Sequence, residues 1–208
     1  MIRVACSLFL ATVAACAQYE AEPAGDPPSE VAAAILPTLS KTGTRIVAGD
    51  GTAYAEIWLL ASAPAGLISP ESGVTLPMIP SGTLLGVLHF LRQSADRRGQ
   101  TIAAGVYTLR YGNFPLTGDH RGAAPQRDFL LLCPADADQS TNTVTNFETL
   151  LDLSRKASGT PHPGVLSFWR ASSDAKPGME QYGDGDWVLT CKLGNVAVSI
   201  IVIGTVPA

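Results

Sequence analysis

Residues 187–193 and 196–204 are two runs rich in apolar side chains, with only Gly194 and Asn195 between them. A Gly-Asn link suits a primed two-residue hairpin turn with positive φ, a conformation that glycine adopts without steric cost. This hairpin constrains the fold more than any other segment. Its second run, residues 196–203, is almost wholly apolar, so a strand there must bury both faces. The run is far too short to cross a bilayer as a helix, which takes roughly 20 apolar residues.

The same signals recur upstream. Residues 44–48 are rich in β-branched side chains, and Gly49-Asp50-Gly51 marks a turn. Residues 53–60 alternate, with Tyr54, Glu56 and Trp58 on one face and Ala55, Ile57 and Leu59 on the other. Residues 84–91, 106–111, 129–133 and 165–170 complete the expected strands. In the second of these, Tyr107, Leu109 and Tyr111 share one face, and Val106, Thr108 and Arg110 the other. Residues 61–80 carry Pro64, Pro70, Pro77 and Pro80, which predicts a long surface excursion.

Two helices are expected. Ser29 is placed as an N-cap before Glu30 and residues 31–36, with Pro37 ending the helix. Thr145 and Glu148 match a capping box ahead of Phe147, Leu150, Leu151 and Ser154, which fall on one helical face. Arg155 and Lys156 suit the last turn, and Gly159 and Pro161 end it. The predicted fold class is therefore mostly β: an antiparallel sandwich or open barrel with one or two packed helices.

Composition narrows the function classes. Hydrophobic residues make up 46% of the chain and charged residues 15%, which supports a packed core and excludes a disordered chain. The net charge is −4 and no basic cluster exceeds two adjacent residues, which argues against nucleic acid as a partner. Residues 1–17 predict an export signal: Arg3 is a minimal basic start, and residues 4–15 are a short apolar run. Val13-Ala14-Ala15-Cys16 has the form of a lipobox, which would make Cys16 a lipidated first residue and the membrane a partner. Ala15-Cys16-Ala17 also fits ordinary cleavage before Gln18. Residues 18–28, with Pro23, Gly25, Pro27 and Pro28, read as a flexible tether to a single β-rich domain at 29–208. The expected location is accordingly a membrane lipoprotein facing the periplasm, or a secreted or periplasmic protein.

Beyond the signal, two cysteines remain. Cys133 and Cys191 each end an apolar alternation, and both are expected to point inward. In an oxidising compartment they either pair or stand as two separate buried thiols. A bond would close a loop of about 60 residues, worth roughly 4 kcal/mol in the chain-entropy model.

The densest polar segment is 111–128. Asp119, His120, Arg121, Arg127 and Asp128 are the ligand-binding candidates there, and His162 is a candidate to join them in space. His120 and His162 are the candidate metal ligands, although the chain lacks any HExxH or CxxC spacing. The competing reading is structural: Asp119 after Gly118 is ordinary turn chemistry, and Arg127 and Asp128 pin the loop by a salt bridge. There is no Gly-x-Ser-x-Gly elbow and no phosphate loop, and Gly183-Asp184-Gly185-Asp186 has too few ligands for a calcium loop. Trp58, Trp169, Trp187, Tyr107, Tyr111 and Tyr182 are either core residues or an aromatic platform for sugar, with Trp58 the best platform candidate.

Residues 99–109, Gly-Gln-Thr-Ile-Ala-Ala-Gly-Val-Tyr-Thr-Leu, resemble a hairpin found in exported bacterial β-sandwich proteins of unknown function. The resemblance implies export and a β-sandwich, and it carries no catalytic residue. The functional expectation is a non-enzymatic binding or interaction module of the cell envelope, with no cofactor and with a protein or glycan partner left open. The alternatives are a metal-dependent enzyme or metal-binding protein built on the 111–128 loop, and a carbohydrate-binding module.

Overall fold

A computed structural model describes residues 18–66, 68, 71–114, 126–183 and 185–204. Its strands in chain order are β1 (Tyr19–Ala24), β2 (Gly43–Ala48), β3 (Ala53–Leu59), β4 (Leu84–Phe90), β5 (Ser94–Ala95), β6 (Thr101–Ile102), β7 (Gly105–Asn113), β8 (Asp128–Pro134), β9 (Val165–Arg170), β10 (Gly178–Tyr182), β11 (Asp186–Leu193) and β12 (Val196–Ile203). The helix α1 (Phe147–Ser158) lies between β8 and β9. Ten strands form one antiparallel sheet in the order β1-β2-β3-β4-β7-β8-β9-β12-β11-β10, and β5 pairs with β6 separately. The sheet curls until its edge strands, β1 and β10, lie side by side, but no ladder joins them. The fold is thus an open barrel with one packed helix.

The sheet is covered on both sides. Ile46, Ile57, Leu88, Leu109, Leu130, Leu189 and Ile200 are among the side chains that fill the barrel. Outside it, Val31, Ile35 and Leu39 pack on Trp58, Leu84 and Val87. Elsewhere on the outside, Leu150 of α1 packs on Phe129, Leu131, Cys133 and Val165. Such double coverage explains why β8 is an unbroken apolar run rather than an alternating one. The faces expected for residues 106–111 are observed, with Tyr107, Leu109 and Tyr111 inside. The turn after β11 has φ 57° at Gly194, and no non-glycine residue in the described chain has positive φ.

Several expectations are corrected. The tether at 18–28 is partly sheet: residues 19–24 form β1, paired with β2 from Tyr19↔Ala48 to Ala24↔Gly43. Tyr19 and Ala21 turn toward the core while Glu20 and Glu22 face solvent, and the edge position accommodates Pro23. The helix expected from Ser29 is a set of turns ending in a 3-10 turn, Leu36–Thr38, with Pro37 inside it. The Ser29 hydroxyl bonds the Glu30 carboxylate rather than capping a helix. In β3, Ile46 pairs with Ala55 and Val47 with Ala53, so Tyr54 is an extra residue at a bulge. The bulge turns Tyr54 into the barrel beside Ala55, against the expected alternation. The excursion at 61–80 is not all surface, because Leu76 and Ile79 are buried in the core, with Leu76 beside Tyr111 and Asp128 at one end of the barrel. The cap of α1 is Asn146 rather than Thr145: its Oδ1 accepts from the Thr149 N–H at 2.9 Å.

Candidate functional site

Asp119, His120 and Arg121 lie outside the described residues, so the expected loop site is represented by Arg127, Asp128 and His162. These do not converge. Asp128 opens β8 at the end of the barrel beside Leu76. His162 precedes Gly164, whose carbonyl accepts from the Leu132 N–H at 3.0 Å. Four residues of strand, roughly 13 Å, separate Asp128 from Leu132.

Arg127 and Asp128 do not pair with each other either. Asp128 is buried and accepts from the Thr75 N–H at 2.8 Å, the Leu76 N–H at 3.3 Å and the Tyr111 hydroxyl at 2.5 Å. Burial first, and the Asp128 carboxylate second, push the Tyr111 hydroxyl well above its ordinary range, so it remains a donor. Arg127 donates to the Phe114 carbonyl at 2.8 and 2.6 Å, to Glu71 at 3.0 Å and to the Ser72 carbonyl. Together the two residues clamp the 71–76 segment over the barrel end. The His162 backbone is held by Ser158 and Thr160 beside the end of α1. Among the described residues, no group of three or more His, Cys, Asp or Glu side chains is placed to hold a metal ion.

The aromatic residues are mostly internal. Trp58 is 1% exposed, and its Nε1–H donates to the Gly25 carbonyl at 2.9 Å, so it presents no face to solvent. Gly43 lies against its indole, where a Cβ would collide with the ring. Tyr107 and Tyr111 are core residues, whereas Tyr182 is 61% exposed. Trp187 on β11 and Tyr19 on β1 meet edge to face, with centroids 5.3 Å apart, although β10 lies between their strands. Tyr19 continues the contact to Tyr54, and Tyr54 to Phe90. These contacts close the seam at the end where β1 begins.

At the other end the seam stays open. The β10 ladder starts at Gly178↔Thr190, so the next residues of β11, Cys191 to Leu193, have no ladder partner on that side among the described residues. Pro177 precedes β10 and Pro23 sits in β1, and neither has an N–H to offer a ladder. A cavity of about 470 Å³ occupies this gap and reaches into the barrel. Ala21, Ile57, Leu59, Leu189 and Cys191 contribute its apolar wall, and Glu22, Ser40, Thr42, Thr44, Thr190 and Lys192 its polar part. Burial pushes the Cys191 thiol up to about 12, so at neutral pH it is an apolar group and not a nucleophile.

Cys133 and Cys191 are free thiols. Cys191 packs toward the barrel interior as expected, but Cys133 faces outward beneath α1. Two strands, β9 and β12, stand between theirs. Three interstrand steps amount to about 14 Å, against the roughly 7 Å limit for the Cα atoms of a disulfide. The inward orientation expected for Cys133 is reversed because β8 is apolar on both faces, which leaves no alternation to identify the inner one.

A polar cluster on the outer face was not anticipated. Register places Glu22, Arg45, Glu56 and His89 in one row across β1 to β4. Arg45 and Glu56 are 2.7 Å apart, and His89 Nδ1 stands 3.7 Å from Glu56. Pairing of such residues across strands leaves no local signal in the sequence, and nor does the cavity. Comparison with known proteins finds no matching family model, no similar curated protein and no similar solved structure.

Proposed function

We propose that this chain is an exported, non-enzymatic binding protein of the cell envelope, with its ligand seated in the seam cavity. The observation that carries the reading is the cavity itself: about 470 Å³ of space opens at the seam and is backed by the inward-facing side chains Ile57, Leu59 and Leu189. That volume falls within the roughly 300–1,000 Å³ typical of small-molecule sites. An apolar wall with a few polar groups at one side is also the usual composition of such sites. The residues that suggested catalysis at Arg127 and Asp128 are engaged in holding the barrel end, which favours binding over chemistry there.

Export rests on the apolar segment at 4–15, and membrane attachment on the lipobox at Cys16. The position of β1 adds a consequence. A lipid on Cys16 would have at most about 11 Å of extended chain before Tyr19. The barrel would then lie against the bilayer rather than stand off it, with the Tyr19 end and the exposed Tyr182 toward the lipid. Tyrosine is suited to that interface.

The full-length chain, expressed in a bacterial host and recovered from its membrane and periplasmic fractions, provides the test. Intact-mass analysis should find a mature N-terminus at a lipidated Cys16, and native mass spectrometry should find a small molecule retained by the folded protein. An unprocessed chain in the cytoplasm would refute export. Turnover of hydrolase or redox substrates by the purified protein would refute the non-enzymatic reading.

A further inference from the structure

We propose that the seam cavity takes a single-chain amphiphile, its apolar tail inside the barrel and its polar head at the gap between β1 and β11. This inference rests on the reading of the cavity as the ligand seat and adds the chemical class of the ligand.

The argument starts from how polarity is divided along the cavity. The deep wall comes from inward-facing positions of four strands: Ala21 on β1, Thr44 on β2, Ile57 and Leu59 on β3, and Leu189 and Cys191 on β11. None of these side chains is charged, the Thr44 hydroxyl is the one strong hydrogen-bonding group among them, and the protonated Cys191 thiol is at most a weak donor. A ligand with polar groups along its length would leave most of them unpaired against this wall, at a cost of about 1–3 kcal/mol for each. The buried part of the ligand is therefore apolar.

The mouth is different. Glu22, Thr42 and Lys192 are exposed there, with Glu22 on β1 and Lys192 on β11 facing the gap from opposite strands. The Ser40 hydroxyl already bonds the Thr42 carbonyl at 3.1 Å, which fixes this loop as a rim. Among the described residues the β11 edge beyond Thr190 has no strand partner, which leaves this stretch of edge facing the gap where a polar head would sit. A purely apolar ligand would use none of this. The entrance is also a slot between two strand edges, lined by Glu22 and Pro23 on one side and Cys191 and Lys192 on the other. A slot of this kind admits a narrow chain more readily than a fused ring system.

The probe is a dansyl-labelled undecanoic acid, titrated into the mature protein below its micelle-forming concentration, with dansylglycine as the tail-less control. The expected result is saturable one-to-one binding with a blue-shifted emission, competed by dodecylphosphocholine but not by phosphocholine. Two variants fill the cavity from opposite sides, Ala21→Trp and Cys191→Phe, and circular dichroism checks that each is folded. Each should weaken binding at least tenfold. Phe147→Ser, on the exposed side of α1, should leave it unchanged.

If dansylglycine binds as tightly and the same variants abolish it, the amphiphile class is wrong while the ligand seat stands. If the amphiphile binds and neither filling variant weakens it, the seat itself is wrong. If the undecanoic probe does not bind at all, the amphiphile class is overturned, and the retained molecule in native mass spectrometry then decides the seat independently.

Discussion

Arg110 shows how much of this protein rests on single polar residues inside apolar surroundings. Its guanidinium is fully buried and holds Asp138 at 2.7 Å through both Nε and Nη2. The remaining N–H groups reach the carbonyls of Gly82, Asn142 and Ser140 at 2.9, 2.6 and 2.6 Å, and Thr108 also donates to Asp138. The pair fastens the segment after β8 to the outer face of β7. Arg110→Met should cost about 3–5 kcal/mol in urea denaturation, because it leaves the Asp138 charge buried without compensation. Arg110→Met combined with Asp138→Leu should recover much of that loss, which a purely steric role for Arg110 would not allow. Cys133 offers a second test at this scale. Burial, with a smaller contribution from Asp138, raises its thiol from the ordinary 9.0 to about 12. As pH rises past 9 the unfolded chain loses this proton first, so stability falls between pH 9 and 12, by at most about 1.4 kcal/mol per pH unit for the one thiol. Cys133→Ala should make the alkaline decline in melting temperature shallower than in the wild type, with little change of slope below pH 8.

At the scale of elements, α1 is defined by its ends. Asn146 has extended φ and ψ of −85° and 116° and caps the first turn, while Gly159 at φ 64° closes the last. Asn146→Ala should lower stability by about 1 kcal/mol, whereas Thr145→Ala should have little effect; chemical denaturation of both variants separates the two caps. The burial of Leu150, Ser154 and Ala157 against β8 then fixes the helix on the sheet, and Ser154 also donates to the Gly164 carbonyl at 2.8 Å. The final hairpin is held from outside as well as by its own turn. The Gly194 N–H donates to the Leu60 carbonyl at 3.1 Å, and a Cβ there would run into the backbone of Ser62 and Ala63. Glycine is therefore required at that position for close approach as well as for its φ.

For the whole molecule, the sheet is one continuous ladder with two unpaired edges brought face to face. Strands β8 and β12, each paired on both sides and buried on both faces, form the most enclosed part. Strands β1 and β10 have a ladder on one side only. Native-state hydrogen exchange should therefore protect the amides of Leu130 and Ile200 far more than those of Glu22 and Gln181, with the seam opening well below the global unfolding free energy. Equal protection across all four would mean that the seam is as firmly joined as the rest of the barrel. The same low-stability edge is the path by which the proposed ligand enters.

The chain alone determined what depends on neighbours a few residues apart. Alternation placed Tyr107, Leu109 and Tyr111 on one face and Arg110 on the other, Gly194-Asn195 placed the last hairpin, and residues 147–158 formed the expected helix with Gly159 at its end. Those signals arise from φ, side-chain period and local capping, all of which are encoded within a turn or a strand. Contacts across long sequence separations decided the rest. Tyr19–Ala24 is a strand because β2 offers it an edge, despite its proline. Asp128 is a clamp because residues 75 and 76 bring two N–H groups to it. Cys133 and Cys191 are separated because the sheet order inserts β9 and β12 between them. The cavity exists only where β10 begins too late to meet β1, a relation between residues some 150 positions apart that no local pattern records.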